Sequence, residues 1–189
     1  MSIKSTIAAL AASPFLFAGA AFAGPYVNVE SNLSYPDGDY SSAATDVHIG
    51  YEGGEGKVAY YVQGGPSLNH SETTDDTETE ISGKIGASAP LSDDLSAYAE
   101  ISGATTDLHI GYEGSISETA DFYAQVGPSF VAVDGTDGSE GEISGKVGVT
   151  VAATDSLGVY GELSGATDED SSGDDIVNWG AKLGAKFVF

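Results

Sequence analysis

Two short segments of the sequence carry the residue types that a hydrolytic reaction needs. Asp46 stands two residues before His48, and Asp107 stands two residues before His109. Residues two apart on an extended strand share a face, so such a carboxylate is able to orient the imidazole, and the imidazole to activate water. Both pairs belong to a nine-residue segment that occurs twice, at residues 45–53 and 106–114. Because each pair is copied with its whole strand, we predict a structural role for it and no catalytic residue.

Lysines and glutamates form a second set of regularly spaced residues. Lys84 and Glu100 stand equidistant from a hairpin centre at Ser92. One repeat later, the same relation about Thr154 holds for Lys146 and Glu162. Directly opposed residues of antiparallel strands have Cβ atoms about 5 Å apart, so we expect each lysine to meet a glutamate across the ladder.

The face that carries these ion pairs is polar along the whole chain. Such a face suits the hydrated, charge-paired interior of a barrel, and we predict that it lines a lumen. Its further members are Lys182, Lys186, His48, His109, Gln63, Gln125, Tyr26, Tyr98 and Tyr160. Glycines on the same face are expected to leave unfilled space in that lumen: Gly50, Gly86, Gly111, Gly148 and Gly184. Ladders on the outside of a soluble barrel are the alternative interpretation.

The elements that position these residues are strands in a duplicated unit. Glu-Ile-Ser-Gly-Lys occurs at residues 80–84 and 142–146, and Tyr-x-Glu-x-Ser-Gly-Ala-Thr occurs at 98–105 and 160–167. Between turn signals, apolar and polar residues alternate with period two, which indicates strands with two different faces. We predict an all-β, antiparallel up-and-down barrel of ten strands from a duplicated four-strand unit. The strands are expected at residues 25–34, 45–52, 57–68, 79–90, 95–104, 106–114, 119–133, 141–152, 156–166 and 175–189.

The predicted connections fall into two classes. Acidic and mostly long connections are expected at residues 36–44, 69–78, 134–140 and 167–174. Short turns are expected at residues 53–56, 91–94, 115–118 and 153–155. Long loops at one rim and short turns at the other are the arrangement of outer-membrane barrels. The loop carboxylates are hard oxygen donors suited to calcium, but they lack the spacing of a known calcium loop, so no metal site is predicted. They include Asp75, Asp76, Asp134, Asp137, Asp168 and Asp170.

The start of the chain and its composition indicate export. Lys4 precedes an apolar run over residues 7–20, which ends in a small-x-small cleavage site at Ala21 and Ala23. Residues 1–23 are therefore predicted to be a signal peptide, and residues 24–189 a single domain. The formal charge of −23, with 29 acidic residues against six basic ones, excludes binding to a polyanion such as nucleic acid. Cysteine is absent, so disulfides do not hold the fold.

Aromatic residues on the apolar face favour a membrane barrel over a soluble one. Near the short-turn rim lie Tyr51, Tyr60, Tyr112, Phe122, Phe187 and Phe189. Near the loop rim lie Tyr35, Phe130 and Trp179. Aliphatic residues occupy the band between them. Two aromatic girdles around an aliphatic band are typical of a lipid-facing surface.

The last eight residues, Lys-Leu-Gly-Ala-Lys-Phe-Val-Phe, end in an aromatic pattern. At Lys182, Gly184, Phe187 and Phe189 they resemble the C-terminal signal of outer-membrane β-barrel proteins. The chain as a whole resembles small porin-like barrels, including ones carried by bacterial and marine phage genomes. The resemblance implies an outer-membrane location with extracellular loops and periplasmic termini, and as partners the barrel assembly machinery and outer-membrane lipid.

A ten-stranded barrel is mostly filled by its own side chains, because open aqueous pores need about 16 to 18 strands. We therefore expect a porin-like protein with acidic surface loops, no cofactor and at most a narrow channel for small solutes. A soluble secreted binding barrel is the alternative. The Asp-x-His pairs also resemble those of omptin proteases, which are ten-stranded outer-membrane barrels. The copying of the pair, and strands expected to be too short for a cleft above the membrane, weigh against that interpretation. The oligomeric state is left open.

Overall fold

The computed structural model describes residues 24–55, 57–93, 95–132, 139–169 and 175–189. The predicted signal peptide, with Ala21 and Ala23, lies outside these ranges. The strands are β1 Gly24–Tyr35, β2 Ser42–Glu55, β3 Val58–Ser71, β4 Asp76–Pro90, β5 Leu95–Ser102, β6 Thr105–Ser117, β7 Ala120–Ala132, β8 Ser139–Ala152, β9 Leu157–Glu169 and β10 Asp175–Val188. A 3₁₀ turn at Pro36–Gly38 joins β1 to β2. Among the described residues, no helix has the length and apolar character needed to cross a membrane.

The ten strands form one closed antiparallel barrel. Each strand pairs with its neighbours in the chain, and β1 closes the ring by pairing with β10, where Tyr26 lies opposite Val188 and Tyr35 opposite Trp179. Closure satisfies the backbone groups that an open sheet would leave at its edges. The predicted ten-stranded all-β barrel is therefore confirmed. Its origin from a duplicated four-strand unit stays a prediction.

The barrel has a polar interior and an apolar exterior. Asn28, Glu30 and His48 are fully buried, with 0% of their surface exposed. Large apolar side chains point outward instead, and Ile49 and Ile81 are 71% and 83% exposed. Every strand contributes exposed apolar residues of this kind, far beyond the patch that a soluble monomer normally shows to water. This distribution is the one expected of a barrel whose exterior contacts lipid.

The aromatic residues of the turn-side girdle lie on this exterior. Tyr51, Tyr60, Tyr112, Phe122, Phe187 and Phe189 are all exposed. The Phe187 and Phe189 rings meet edge to face, with 5.1 Å between their centroids. At the loop rim, Phe130 and Trp179 are exposed, whereas Tyr35 is partly buried and its ring lies 5.8 Å from that of Tyr40.

Several strands are longer than the sequence pattern predicts. The acidic segment at residues 69–78 was expected to be a loop, but β3 continues to Ser71 and β4 begins at Asp76. Likewise β2 begins at Ser42, within the loop expected at 36–44. Polar residues pair as strands here because the neighbouring strand offers backbone partners, which a single sequence does not reveal. These strands extend further toward the loop rim than predicted. That they are too short to raise a cleft above a membrane stays a prediction.

The predicted register of two hairpins is also wrong. Lys84 lies opposite Ser102, and Glu100 lies opposite Gly86. In the second copy, residues 146 and 162 are displaced in the same way, facing residues 164 and 148. The turn is the cause: the backbone N–H groups of Leu91 and Ser92 both donate to the carbonyl oxygen of Leu95, which moves the hairpin centre by one residue. A shift of the centre by one residue displaces every opposed pair by two.

Candidate functional site: the barrel lumen

Five inward-facing tyrosines, which we call the tyrosine girdle, occupy the turn-side half of the lumen. One comes from each odd-numbered strand, near its start, and they are Tyr26, Tyr61, Tyr98, Tyr123 and Tyr160. Each is buried, because alternation along its strand turns it inward. The aromatic bodies of the girdle fill the space that the strands enclose on this side.

Each ring of the girdle covers a glycine of a neighbouring strand. A Cβ atom at Gly50 or Gly148 would lie well inside van der Waals contact with the ring of Tyr26 or Tyr123. The other three pairs are Tyr61 with Gly86, Tyr98 with Gly111, and Tyr160 with Gly184. The expectation that these five glycines leave unfilled space in the lumen is therefore wrong, since tyrosine rings occupy the space above them.

Two members of the girdle, Tyr61 and Tyr123, are not among the lumen residues predicted from the sequence. Each comes directly after an aromatic residue, Tyr60 or Phe122, that faces outward. Strict alternation through such a pair predicts that the second residue points into the lumen. The signal was therefore present in the pattern, but an adjacent outward aromatic residue makes the polar face harder to recognise there.

Above the girdle, Glu30 is the centre of a buried cluster. Its carboxylate forms an ion pair and hydrogen bond with the Lys84 ammonium group, and lies 3.9 Å from Nζ of Lys182. Oε2 of Glu30 accepts hydrogen bonds from the Tyr160 hydroxyl at 2.8 Å and from Nδ2 of Asn28 at 3.1 Å. A fully buried carboxylate is stable only with partners of this kind.

The Glu30 cluster crosses the lumen. Lys84 belongs to β4 and Tyr160 to β9, and these strands are five places apart in a ring of ten, so they lie on opposite sides. Glu30, from β1, joins them through direct contacts. Lys84, Tyr160 and Lys182 were predicted lumen residues, whereas Glu30 and Asn28 were missed. The signal for the missed pair was the alternation Tyr-Val-Asn-Val-Glu at residues 26–30.

The remaining predicted lumen residues are also inside the barrel. The Lys186 ammonium group bonds Glu52 and lies 4.4 Å from the centre of the Tyr26 ring. The Glu162 carboxylate accepts a hydrogen bond from the Tyr123 hydroxyl at 2.6 Å. Glu100, Lys146 and Tyr98 are buried as well. Four of the six basic residues of the chain are therefore enclosed by the barrel.

Both histidines of the repeated segment are buried and bond serines. Nε2 of His48 lies 2.7 Å from Oγ of Ser82, and Nε2 of His109 lies 2.7 Å from Oγ of Ser144. Nδ1 of His48 lies 3.1 Å from Nε2 of Gln63, which fits a donor on the amide and an acceptor on the ring. Each imidazole thus links its strand to the strand two places away in the barrel, β2 to β4 and β6 to β8.

The aspartates that precede these histidines bond other side chains. Oδ2 of Asp46 accepts from Nδ2 of Asn32 at 3.0 Å, and Oδ1 of Asp107 accepts from the hydroxyl of Ser129 at 2.6 Å. Neither described pair shows a direct hydrogen bond between carboxylate and imidazole. The Ser82 hydroxyl, which bonds His48, also donates to Oδ1 of Asp46 at 3.4 Å. A shared strand face brought each pair close, but the carboxylates reach toward neighbouring strands instead.

The loop-side half of the lumen holds a cavity of about 490 Å³, which we call the vestibule. Lys84 and Lys182 lie at its base, and Asp46, Ser67 and Ser82 line its wall. Carboxylates of β4 complete the lining toward the loop rim: Asp76, Glu78 and Glu80. The vestibule therefore combines a base of paired cations with an acidic wall.

No group of three or more potential metal ligands of the His, Cys, Asp or Glu type comes together in the described part of the chain. Of the loop aspartates, Asp168 accepts a hydrogen bond from Nδ2 of Asn178 at 2.8 Å. Asp134, Asp137 and Asp170 lie outside the described residues. In the C-terminal pattern, Lys182 and Gly184 face the lumen, whereas Phe187 and Phe189 face outward.

A closed antiparallel barrel with ionisable residues inside, apolar residues outside and an aromatic girdle at the turn-side rim is an outer-membrane β-barrel of the porin-like class. Residues 2–106 and 100–189 both match the family described as "Cyanophage outer membrane protein like beta barrel domain", and the chain belongs to that family. No curated protein matches the sequence.

Several solved structures align with the chain. The translocator domain of the autotransporter NalP from Neisseria meningitidis aligns with a TM-score of 0.50 and 12% identity over 88% of each chain. The NanC porin aligns with a TM-score of 0.46 and 7% identity, over 86% of this chain and 100% of that chain. The KdgM porin aligns with a TM-score of 0.43 and 12% identity, over 86% of this chain and 99% of that chain. At these identities the likeness to the NalP domain concerns the fold alone.

Proposed function

We propose that this protein is a non-enzymatic barrel whose lumen admits at most small solutes from an acidic vestibule. The Glu30 cluster carries the proposal, because it joins β1, β4, β9 and β10 across the lumen. On the turn side, the tyrosine girdle occupies the space below that cluster. A solute that enters the vestibule therefore meets a layer of paired charges and then a layer of aromatic rings.

The charge of the vestibule wall bears on which solutes enter. Asp76, Glu78 and Glu80 stand at the loop side, whereas the lysines at the base are paired with Glu30. A field of one sign over a narrow entrance raises the local concentration of ions of the opposite sign. Any residual conduction is therefore expected to favour small cations, and the acidic rim also keeps the exposed end of the barrel solvated.

Single-channel recording in planar bilayers tests the closed lumen. The wild-type protein should show no conductance steps, or only small cation-selective ones. The double variant Glu30→Ala/Lys84→Ala removes both partners of the cross-lumen ion pair and should raise the conductance several-fold. The reason is that two side chains at the centre of the lumen are shortened to methyl groups.

The matched control is Glu118→Ala/Lys57→Ala, which removes one carboxylate and one ammonium group from exposed positions in turn-side connections, away from the vestibule. It should leave the conductance of the closed state unchanged. Heat-modifiable gel migration establishes that each variant is folded. A large conductance of the wild-type protein would overturn the proposal, and so would an equal rise in the control variant.

The proposal includes an orientation and two partners. The loop rim faces the cell exterior, the N-terminus and the C-terminus of the barrel face the periplasm, and lipid covers the apolar band. This is the usual arrangement of such barrels. The C-terminal residues Lys182, Gly184, Phe187 and Phe189 are proposed as the segment that the barrel assembly machinery reads. Phe189 supports this role, because it is 74% exposed and so contributes little to internal packing.

The variant Phe189→Ala separates recognition from stability. Recovery of folded barrel from outer membranes should fall several-fold, while folding of the purified chain into detergent should be unaffected. Phe122→Ala is the control. It removes another exposed phenylalanine of the exterior aromatic girdle at the turn-side rim, but one that lies outside the C-terminal pattern. Equal recovery of the two variants would contradict recognition of the terminal residue.

A further inference from the structure

Part of β4 has no neighbour on one side. β4 has 15 residues, whereas β5 has 8. The β4–β5 ladder runs only from Lys84, opposite Ser102, to Pro90, opposite Ser96. On the other side, all residues from Asp76 to Gly83 pair with β3. Within the described ranges of the chain, residues 76–83 therefore form an unpaired edge, which we call the β4 edge.

The β4 edge is long enough to take another strand. Eight residues at about 3.4 Å each span about 27 Å. In an antiparallel ladder, alternate residues direct their N–H and C=O groups to one neighbour, so half of the residues of the β4 edge direct theirs away from β3. All of its residues except Ser82 are exposed. An exposed row of unpaired backbone groups is a template for strand addition.

From Asp76 to Glu80 the β4 edge lies beyond the lipid-facing band, to which Ile81 still belongs. β5 and β6 meet in a tight turn at Gly103 and Ala104, directly before Thr105. Thr106 pairs with Phe130, an aromatic residue of the loop rim. The turn therefore lies at the height of that rim, and the β4 edge extends past it on the side of the vestibule opening. A partner would reach residues 76–80 from water and would not have to enter the membrane to do so.

Side chains of the β4 edge alternate between two surroundings. Asp76, Glu78 and Glu80 line the vestibule, and Glu80 accepts a hydrogen bond from Asn69 at 3.2 Å. Thr77, Thr79 and Ile81 occupy the intervening positions and so face the other way. A strand added beside β4 would therefore direct every second side chain toward carboxylates.

We propose that the β4 edge binds an extended peptide segment with basic residues at alternate positions, as an added strand whose basic side chains point into the vestibule. A second copy of this chain is disfavoured as the partner, because pairing two β4 edges would oppose like charges. The chain does not supply the basic segment from its described residues either. Lys57 lies in the turn-side connection and the other described lysines are buried.

The proposal is tested with the full chain folded in nanodiscs of zwitterionic lipid. The probe is a fluorescein-labelled peptide of alternating threonine and lysine, eight residues long, followed by anisotropy at physiological salt. Saturable binding is expected. A peptide with glutamate in place of lysine should not bind. A lysine peptide with every second backbone amide N-methylated keeps its charge but loses its ladder donors, and it should bind at least about tenfold more weakly.

Two variants locate the site. Glu78→Gln/Glu80→Gln neutralises the inward carboxylates of the β4 edge and should weaken binding at least about tenfold. Asp37→Asn/Asp39→Asn makes the same change of charge in the connection between β1 and β2 and should leave binding unchanged. Equal binding of the N-methylated peptide, equal weakening by both variants, absence of binding, or a nanodisc population dimerised through the β4 edge would each overturn the proposal.

Discussion

The same four residues, Ser-Gly-Ala-Thr, form a turn in one copy of the repeat and a strand in the other. At residues 102–105 they connect β5 to β6, and Gly103 has a positive φ of 57°. At residues 164–167 they lie inside β9, where Gly165 pairs with Trp179 of β10. Local sequence is identical in the two places, so the difference must come from the residues around each segment.

The residues after the segment explain the two outcomes. After Thr105, the alternating sequence of β6 begins at once and returns along β5, with Ser102 opposite Thr105. After Thr167, the chain continues as Asp168 and Glu169, which pair with β10. One copy therefore ends in a short strand that leaves the β4 edge unpaired. The other copy extends β9 to the loop rim, so duplicated sequence produces an asymmetric barrel.

The two copies also differ inside the lumen. Tyr61 and Tyr123 stand at equivalent positions, and each covers a glycine of the next strand. The Tyr123 hydroxyl donates to Glu162 at 2.6 Å. The Tyr61 hydroxyl is buried and has no hydrogen-bond partner among the described residues. The two rings therefore pack alike, but among the described residues the Tyr123 hydroxyl has a hydrogen-bond partner and the Tyr61 hydroxyl has none. We expect the two hydroxyls to contribute differently to the free energy of unfolding.

The largest expected difference between the copies comes from removing these hydroxyls. Tyr123→Phe breaks a hydrogen bond to a carboxylate and should lower the free energy of unfolding by about 1.5–3 kcal/mol. Tyr61→Phe removes a buried polar atom without a partner among the described residues, so it should change that free energy by about 0 kcal/mol or raise it slightly. Urea unfolding from lipid vesicles, followed by fluorescence of the single tryptophan, Trp179, measures both. Equal losses would show that the two tyrosines are energetically equivalent after all.

Smaller single effects, of opposite sign, are expected at the two glycines of the repeated segment. Gly103→Ala places a side chain at positive φ and should cost about 1–2 kcal/mol. Gly165→Ala lies in a strand, and the new Cβ would lie 3.4 Å from the Trp179 ring, an ordinary contact. This variant should gain about 0.5–1 kcal/mol, because glycine loses more conformational freedom on folding than alanine does. Changes of the same sign in the same unfolding assay would mean that the turn in the first copy is not set by Gly103.

Much of the barrel could be predicted from residue order. Alternation identified ten strands, and it placed Lys84, Lys182 and Tyr160 on one face. It failed at the hairpin turns, where the prediction placed the centre one residue early and opposed Lys84 to Glu100. The register depends on which backbone groups close the turn, and several closures fit the same residues. Strand ends were equally ambiguous, since acidic residues at 76–80 resemble a loop until β3 offers them partners.

The sequence by itself determined the two faces of the wall, because side-chain direction alternates with every residue of a strand. It therefore determined that lysines, glutamates, histidines and tyrosines share one side, and that aliphatic residues share the other. Only closure of the barrel decided which of those residues meet. Glu30 contacts Lys84 and Tyr160 from opposite strands because the stagger and tilt of ten closed strands set the heights of residues that are far apart in the chain. The unpaired β4 edge likewise exists only because β5 ends early beside it.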